Sequence, residues 1–317
     1  MKPTLSLSSC WLSHRHTDGF AMIQEMVALG FSHVELSHGI RISLVPGILK
    51  AVQDGIAQIS SVHNFCPLPT GITTAAPNLF MPSSGDTREA DQWLRHTKRT
   101  IDFAAQVGAR VVVLHLGCVE FLWFSPGKKL RAKPPKQPGT EDAGDDSYKA
   151  VVDAALARMR KRMPVYWTRT KAGIESILAQ ASERGVKLGV ENREKFEELP
   201  LDADFPEYLK SMSIPGVAGY WHDAGHAHIK EQLGVINHEQ QLEANAANTL
   251  GFHIHDTDAK GRDHQPLGKG EIDFEMVSRF WKPEHLIVLE FSPRLTPEEI
   301  VASRQRVEEL LSARFGE

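Results

Sequence analysis

Short apolar runs rich in β-branched residues recur along the chain, separated by longer stretches in which apolar positions return every three or four residues. The first pattern is that of buried strands and the second that of one helical face. The runs are TLSLSS at 4–9, HVELS at 33–37, QISSVH at 58–63, RVVVLHL at 110–116, KLGVE at 187–191, VAGYWHD at 217–223, GFHIHD at 251–256 and HLIVLEF at 285–291. Between them, Ile174, Ile177, Leu178 and Ala181 stand at the spacing of a helical stripe. Asp86 and Glu89 read as a capping box opening a helix that runs to about Gly108. Thr296, Pro297 and Glu299 read as another, followed by Ile300, Val307, Leu310 and Leu311. Strand and helix alternating from end to end predict a parallel α/β sheet, and eight strands close it. The expected fold is a (β/α)8 TIM barrel, a single domain over residues 1–317.

One stretch breaks the alternation. Residues 119–147, after the fourth run, carry Lys128, Lys129, Arg131, Lys133 and Lys136 ahead of Glu141, Asp142, Asp145 and Asp146, among prolines and glycines. This reads as a loop insertion: either a solvated segment, or a lid bringing positive charge to an anionic substrate. The basic run Arg158–Arg162 reads as a solvated helix face.

Composition narrows the partners. Lys and Arg number 36 against 40 Asp and Glu, a net charge of −4, so the positive field that holds nucleic acid by its phosphates is missing. No nucleic-acid partner is expected. The chain starts without a signal-like apolar run and holds no stretch of eighteen uncharged apolar residues, so no membrane association and a cytoplasmic location are expected. Cys10, Cys66 and Cys118 are too few and too scattered for a disulfide framework, and lack zinc-ribbon spacing.

In such a barrel the C-terminal strand ends build the active site. The residues falling there are Glu35, His63, His115, Glu191, Asp223 with His226 just beyond, His253 with His255, and Glu290. Carboxylates and imidazoles in apolar strands are costly to bury unless paired, protonated or coordinated. A single one reads as a satisfied core residue, but so many nitrogen and oxygen donors on one rim match the needs of a divalent metal, Mn²⁺, Zn²⁺, Co²⁺ or Mg²⁺. His253 and His255 share a strand face, so parity does not choose between them. His222 points away from Asp223 and reads as packing. Trp11 and Trp221 could wall a sugar ring, with core packing the plainer reading. Arg193 and Lys260 are candidate anion contacts, or simply solvated.

The order of these segments resembles the xylose-isomerase-like barrel superfamily, which includes sugar isomerases and epimerases, inosose-processing enzymes and endonuclease IV. The resemblance spans nearly the whole chain. Its pieces are Glu191 in GVEN, Asp223 and His226 in HDAGHAH, His253 in FHIHD, His264 in HQPLGKG and Glu290 in LEF. From the ketose 3-epimerase branch it implies one metal held by Glu191, Asp223, His253 and Glu290, the two glutamates doubling as catalytic proton donor and acceptor through an enediolate. It further implies substrate contacts from His226 and Glu197, with His255 and Asp256 orienting the metal ligands through hydrogen bonds. Those epimerases tend to carry arginine where His264 stands. From the endonuclease IV branch the resemblance implies further metals, using His63, His115, His226 and His264, with Asp263 an approximate match to a remaining aspartate. The implied function is a metal-dependent isomerase or epimerase of a carbohydrate or polyol. The alternatives are a metal-dependent hydrolase or lyase, including a phosphodiesterase, and a non-catalytic barrel binding carbohydrate or protein. Members of the superfamily often pair into homodimers.

Overall fold

A computed structural model describes residues 2–132 and 146–316. Eight parallel strands, β1 (Thr4–Ser8), β2 (His33–Leu36), β3 (Gln58–His63), β4 (Val111–Leu114), β5 (Lys187–Glu191), β6 (Ala218–Asp223), β7 (Thr249–Ile254) and β8 (Leu286–Leu289), pair in sequence order. β1 also pairs with β8, which closes the barrel. Every expected strand is present, with ends within two or three residues of the sequence reading.

The helices are α1 (Gly19–Ala28), α2 (Val45–Gln53), α3 (Thr87–Gln106), α4 (Pro126–Ala132), α5 (Asp146–Arg162), α6 (Pro164–Glu183), α7 (Phe205–Lys210), α8 (Ala224–Gln232), α9 (His238–Asn245), α10 (Phe274–Ser278) and α11 (Pro297–Phe315). α6 buries Ile174, Ile177, Leu178 and Ala181, as the spacing predicts. Thr296 caps α11 in a true capping box with Glu299, which satisfies two otherwise orphaned N–H groups. Asp86 caps α3, but Glu89 does not complete a box. Its carboxylate instead accepts from the Met81 N–H at 2.9 Å and the Ser84 hydroxyl at 2.8 Å, so it ties down the segment ahead of the helix.

Two apolar layers follow from strand alternation. One face packs against the helices; the other fills the barrel with Val111, Val113, Trp221, Leu286 and Val288. The wide Trp221 ring fits because two neighbours lack side chains. A Cβ on Gly251 would lie 2.5 Å from the ring, and one on Gly189 3.1 Å from it. Register shifts between Val34 and Glu35, and between Tyr220 and Trp221, fall beside the rim, where such irregularities re-aim side chains.

The insertion departs from the loop reading. Pro126–Ala132 is helical, and Val119 and Leu130 are buried in a satellite core with Val152, Met159, Phe196 and Leu233. The described part, residues 119–132, therefore packs in part through Val119 and Leu130, while Leu122, Trp123 and Phe124 are exposed. The expectations placed on Lys133, Lys136, Glu141, Asp142 and Asp145 lie outside the described residues. Arg158, Arg160, Lys161 and Arg162 are exposed on α5, as expected, while Met159 turns inward. Among the described residues no helix is long and apolar enough to cross a membrane.

Candidate metal centre

Glu191 ends β5 and Asp223 ends β6. His253 lies on β7 directly opposite Asp223 in register, and Glu290 follows β8. All four are at least 95% buried, and one oxygen or nitrogen from each lies within 4.8 Å of the others. His253 Nδ1 is the focus: Glu191 Oε1 stands at 2.9 Å, Glu290 Oε2 at 3.2 Å and Asp223 Oδ2 at 3.8 Å. Burial alone would push these carboxyls up. For Glu191 the Arg193 guanidinium outweighs it, with help from the His115 and His253 contacts; for Asp223 the neighbouring His226 and His255 do so, and for Glu290 the neighbouring His253 and His264. All three are held well below the ordinary carboxylate range and are ionised at neutral pH.

A second layer fixes which atoms face inward. His253 Nε2 lies 3.2 Å from both oxygens of Glu35, whose carboxylate also accepts from Ser8 at 2.9 Å and Ser61 at 2.8 Å. Nε2 therefore carries a proton toward Glu35, and Nδ1 is the nitrogen turned to the three carboxylates. His255 Nδ1 accepts from the His264 backbone N–H at 2.9 Å, so its proton is on Nε2, 3.1 Å from Asp223 Oδ2. With both ring nitrogens committed, His255 orients Asp223. Asp256 acts further out. Its carboxylate accepts from the backbone N–H groups of Thr257, Gly268, Gly270 and Ile272 and shapes the loop that carries His264, with no recorded contact to the four residues.

His63 and His115 approach from β3 and β4. His63 Nδ1 donates to the Asn64 carbonyl at 2.9 Å, and His115 Nδ1 meets Asn78 Oδ1 at 2.9 Å. Both rings therefore turn Nε2 toward Glu191 Oε2, His63 at 3.7 Å and His115 at 2.7 Å. The closer pair is misaligned for a hydrogen bond, and burial holds the His115 pKa down to about 3, so that ring is neutral. Arg193 Nη1 bonds the same Glu191 Oε2 at 2.7 Å, so a cation already lies beside the pair. His63, His115 and Glu191 form a second donor group sharing Glu191 with the first.

The remaining predicted residues divide. His226 Nδ1 lies 3.0 Å from the Asn192 carbonyl and 3.3 Å from Arg193 Nη1. Nδ1 thus stands between an acceptor, the Asn192 carbonyl, and a donor, Arg193, while Nε2 faces Asp263 Oδ2 at 3.9 Å. His264 has a positive φ of 56°, a strained backbone for this residue, and lies 3.1 Å from Asp263 and 3.8 Å from Glu290. Arg193 is not solvated: it is buried, bonded to Glu191 at 2.7 Å and close to Glu198 at 3.4 Å. The Glu197 carboxylate is directed to the Ser125 hydroxyl and the Gly127 N–H, anchoring the insertion. Lys260 is exposed, and Trp11 is fully buried with its indole N–H on the Leu295 carbonyl at 2.9 Å. Trp221 lies under the centre, edge-on to His253 at 5.2 Å. His222 faces the helices, as parity predicts, against Tyr220 and His238. Sequence reasoning missed Glu198 and Asn78. Nothing in an irregular loop shows which residue turns inward.

The donor set fits a divalent metal. Three ionised carboxylates converge on His253 Nδ1, and Glu290, Glu35 and Glu191 raise the pKa of that buried ring well above its ordinary value, so the site stabilises positive charge at this point; among the described residues no arginine or lysine other than Arg193 contacts them. Beside this group opens a cleft of about 560 Å³, lined by His38, Thr73, Thr74, Asp263, His264 and Glu290 among others. Its size and its hydroxyl and imidazole groups suit a small polar molecule.

A sequence model described as xylose isomerase-like TIM barrel matches residues 23–305. No curated protein matches the sequence. Among solved structures, one described as a D-tagatose 3-epimerase-like protein superposes with a TM-score of 0.66 at 18% identity, covering 99% of this chain and 98% of its own. An L-ribulose 3-epimerase gives 0.68 at 15% identity, covering 98% and 95%. The 3-keto-D-glucoside 4-epimerase of E. coli gives 0.65 at 12% identity, covering 98% and 99%. At these identities the likeness establishes the fold.

Proposed function

Because the chain belongs to the xylose isomerase-like TIM barrel family, we propose that it is a metal-dependent isomerase or epimerase of a carbohydrate or polyol, moving a proton at the carbon beside a carbonyl. The observation that carries this reading is the pair Glu191 and Glu290. Two buried, ionised carboxylates from different strands close on one point, beside a cleft of sugar size. Glu191, Asp223, His253 and Glu290 would hold a divalent ion, which when bound would supply positive charge near the substrate oxygens. The side chains do the rest. Arg193 keeps Glu191 ionised, so it can accept a proton; Glu290, on the other side of His253, is placed to serve the opposite face. Ionised Glu191 takes the C–H proton on one face, and Glu290 returns to the other face a proton that it first takes up from solvent, which inverts the carbon. In this reading His264, which lines the cleft, contacts substrate hydroxyls, and His226 lies behind it beside Asp263. The solved structures of similar fold described as sugar epimerases support the same reading.

One test is proton exchange. Chain loaded with Mn²⁺, Co²⁺, Zn²⁺ or Mg²⁺ is incubated in D₂O with a panel of ketoses and inososes and followed by proton NMR. The expected result is deuterium beside the carbonyl, lost in Glu191→Gln and in Glu290→Gln. No exchange across the panel overturns the proposal.

The Nε2 atoms of His63 and His115, both turned toward Glu191, favour a second reading, in which these three residues would hold a further ion and the site would work as a hydrolase or lyase, including a phosphodiesterase. Metal-dependent cleavage of an abasic-site oligonucleotide, abolished by His63→Ala or His115→Ala, supports it. Intact oligonucleotide at every metal tried removes that phosphodiesterase reading.

A further inference from the structure

On the outer side of the barrel, behind Asp223, a separate group of donors meets where α8 turns into α9. His228 and Glu231 lie one turn apart on α8, and His238 is the first residue of α9, giving the spacing H-x2-E-x6-H. One ligand-capable atom from each lies within 4.8 Å of the others. None of the three belongs to the rim already described, and the fold does not need two histidines and a glutamate at a helix junction.

Several observations indicate that hydrogen bonding alone does not close this group. His228 Nδ1 stands 3.8 Å from Glu231 Oε2, and its Nε2 stands 3.8 Å from Glu271 Oε2. Both are too long for hydrogen bonds. Nε2 is shielded from solvent and has no hydrogen-bond partner, although the side chain as a whole is only 12% exposed. A separation of 3.8 Å is close to that between two ligands on one tetrahedral zinc, about 3.4 Å from bonds of about 2.0–2.1 Å. Glu231 is already oriented, because its other oxygen, Oε1, accepts from the His238 backbone N–H at 2.9 Å.

His238 is prepared from behind. Its Nε2 meets His222 Nε2 at 2.9 Å, and His222 Nδ1 meets the Tyr220 hydroxyl at 3.0 Å. Two Nε2 atoms in contact need one proton between them. If His238 donates it, His222 is the acceptor and carries its own proton on Nδ1 toward Tyr220 Oη. That assignment satisfies every atom of the chain and leaves His238 Nδ1 as the ring nitrogen available to a metal. Such an outer hydrogen bond commonly fixes the tautomer of a metal-bound histidine.

We propose that His228, Glu231 and His238 form a second metal site of the zinc class, through two imidazole nitrogens and one carboxylate oxygen, with a fourth position open to solvent. His228 binds through Nδ1, the nitrogen nearer Glu231, and directs Nε2–H toward Glu271. The ion ties α8 to α9. Since Asp223 is the N-cap of α8 and His226 lies in its first turn, the outer ion braces the element that presents both to the rim. This holds whether or not the rim performs the proton transfer proposed above.

Zinc titration calorimetry tests it on the Glu191→Gln/Glu290→Gln protein, in which both rim groups have lost a carboxylate. The expected result is that adding His228→Gln or Glu231→Gln removes one zinc per chain or lowers its affinity at least tenfold, and removes a rise in Tm with zinc. No zinc bound, or zinc binding indifferent to both substitutions, overturns the site. Zinc-edge anomalous diffraction from wild-type crystals reads the same position without any substitution. A peak bounded by the three side chains is expected, and none at saturating zinc contradicts the proposal.

Discussion

The two nitrogens of His253 face different chemistry: Nε2 sits between the oxygens of Glu35, and Nδ1 faces three carboxylates. Glu35→Gln keeps an acceptor for Nε2 but removes the charge that fixes the proton there. Affinity for the rim metal is expected to fall about 10- to 100-fold, with full stoichiometry recovered at saturating metal; competition with a chelator measures it. Unchanged affinity would mean that Glu35 is only packing. Glu198 gives a pH signature. Arg193 and the Lys195 N–H outweigh burial and hold its pKa down to about 2, below the ordinary value of 4.5. The stability it contributes is therefore present above about pH 4.5 and lost as pH falls through about 2. Urea unfolding of the metal-free chain should show Glu198→Gln less stable than wild type at pH 7, by roughly 1–3 kcal/mol, the gap closing toward pH 2. The rim donors were legible in the sequence because carboxylates and imidazoles in apolar strands stand out. The pairing of Arg193 with Glu198, and the turning of Glu197 toward Ser125 and Gly127, depend on loop conformation, where adjacent residues look alike.

Elements show the same division. Strands and the long helices were readable from periodicity, and the Thr296 box from its local spacing, because each depends on residues near in sequence. Thr296→Ala should cost about 1 kcal/mol and leave catalysis unchanged, read by urea denaturation. The helix α4 was not legible: it is seven residues long, and its buried partners Phe196 and Leu233 are distant in sequence. The lining of the barrel was equally hidden, since Trp221 reads as core or sugar wall until Gly189 and Gly251 are seen against it. Gly251→Ala puts a Cβ 2.5 Å from that ring and 2.8 Å from the Leu286 carbonyl oxygen. A loss of about 1–3 kcal/mol is expected, together with weaker metal binding, because His253 rests on Trp221. Full stability would show that the ring moves aside.

For the whole molecule, the count of strands fixed the architecture, and the architecture gathered donors scattered from Glu35 to Glu290 onto one rim. The fold does not by itself select the reaction. What bears on it is the rim's two-part layout: a four-residue group around His253 Nδ1, and beside it His63 and His115 sharing Glu191. The central claim is that the first group holds a divalent metal. Anomalous diffraction at the manganese edge, from crystals grown with Mn²⁺, tests it most directly. The account predicts a peak within bonding distance of Glu191, Asp223, His253 Nδ1 and Glu290. A metal-saturated crystal with no peak among these four residues would contradict it.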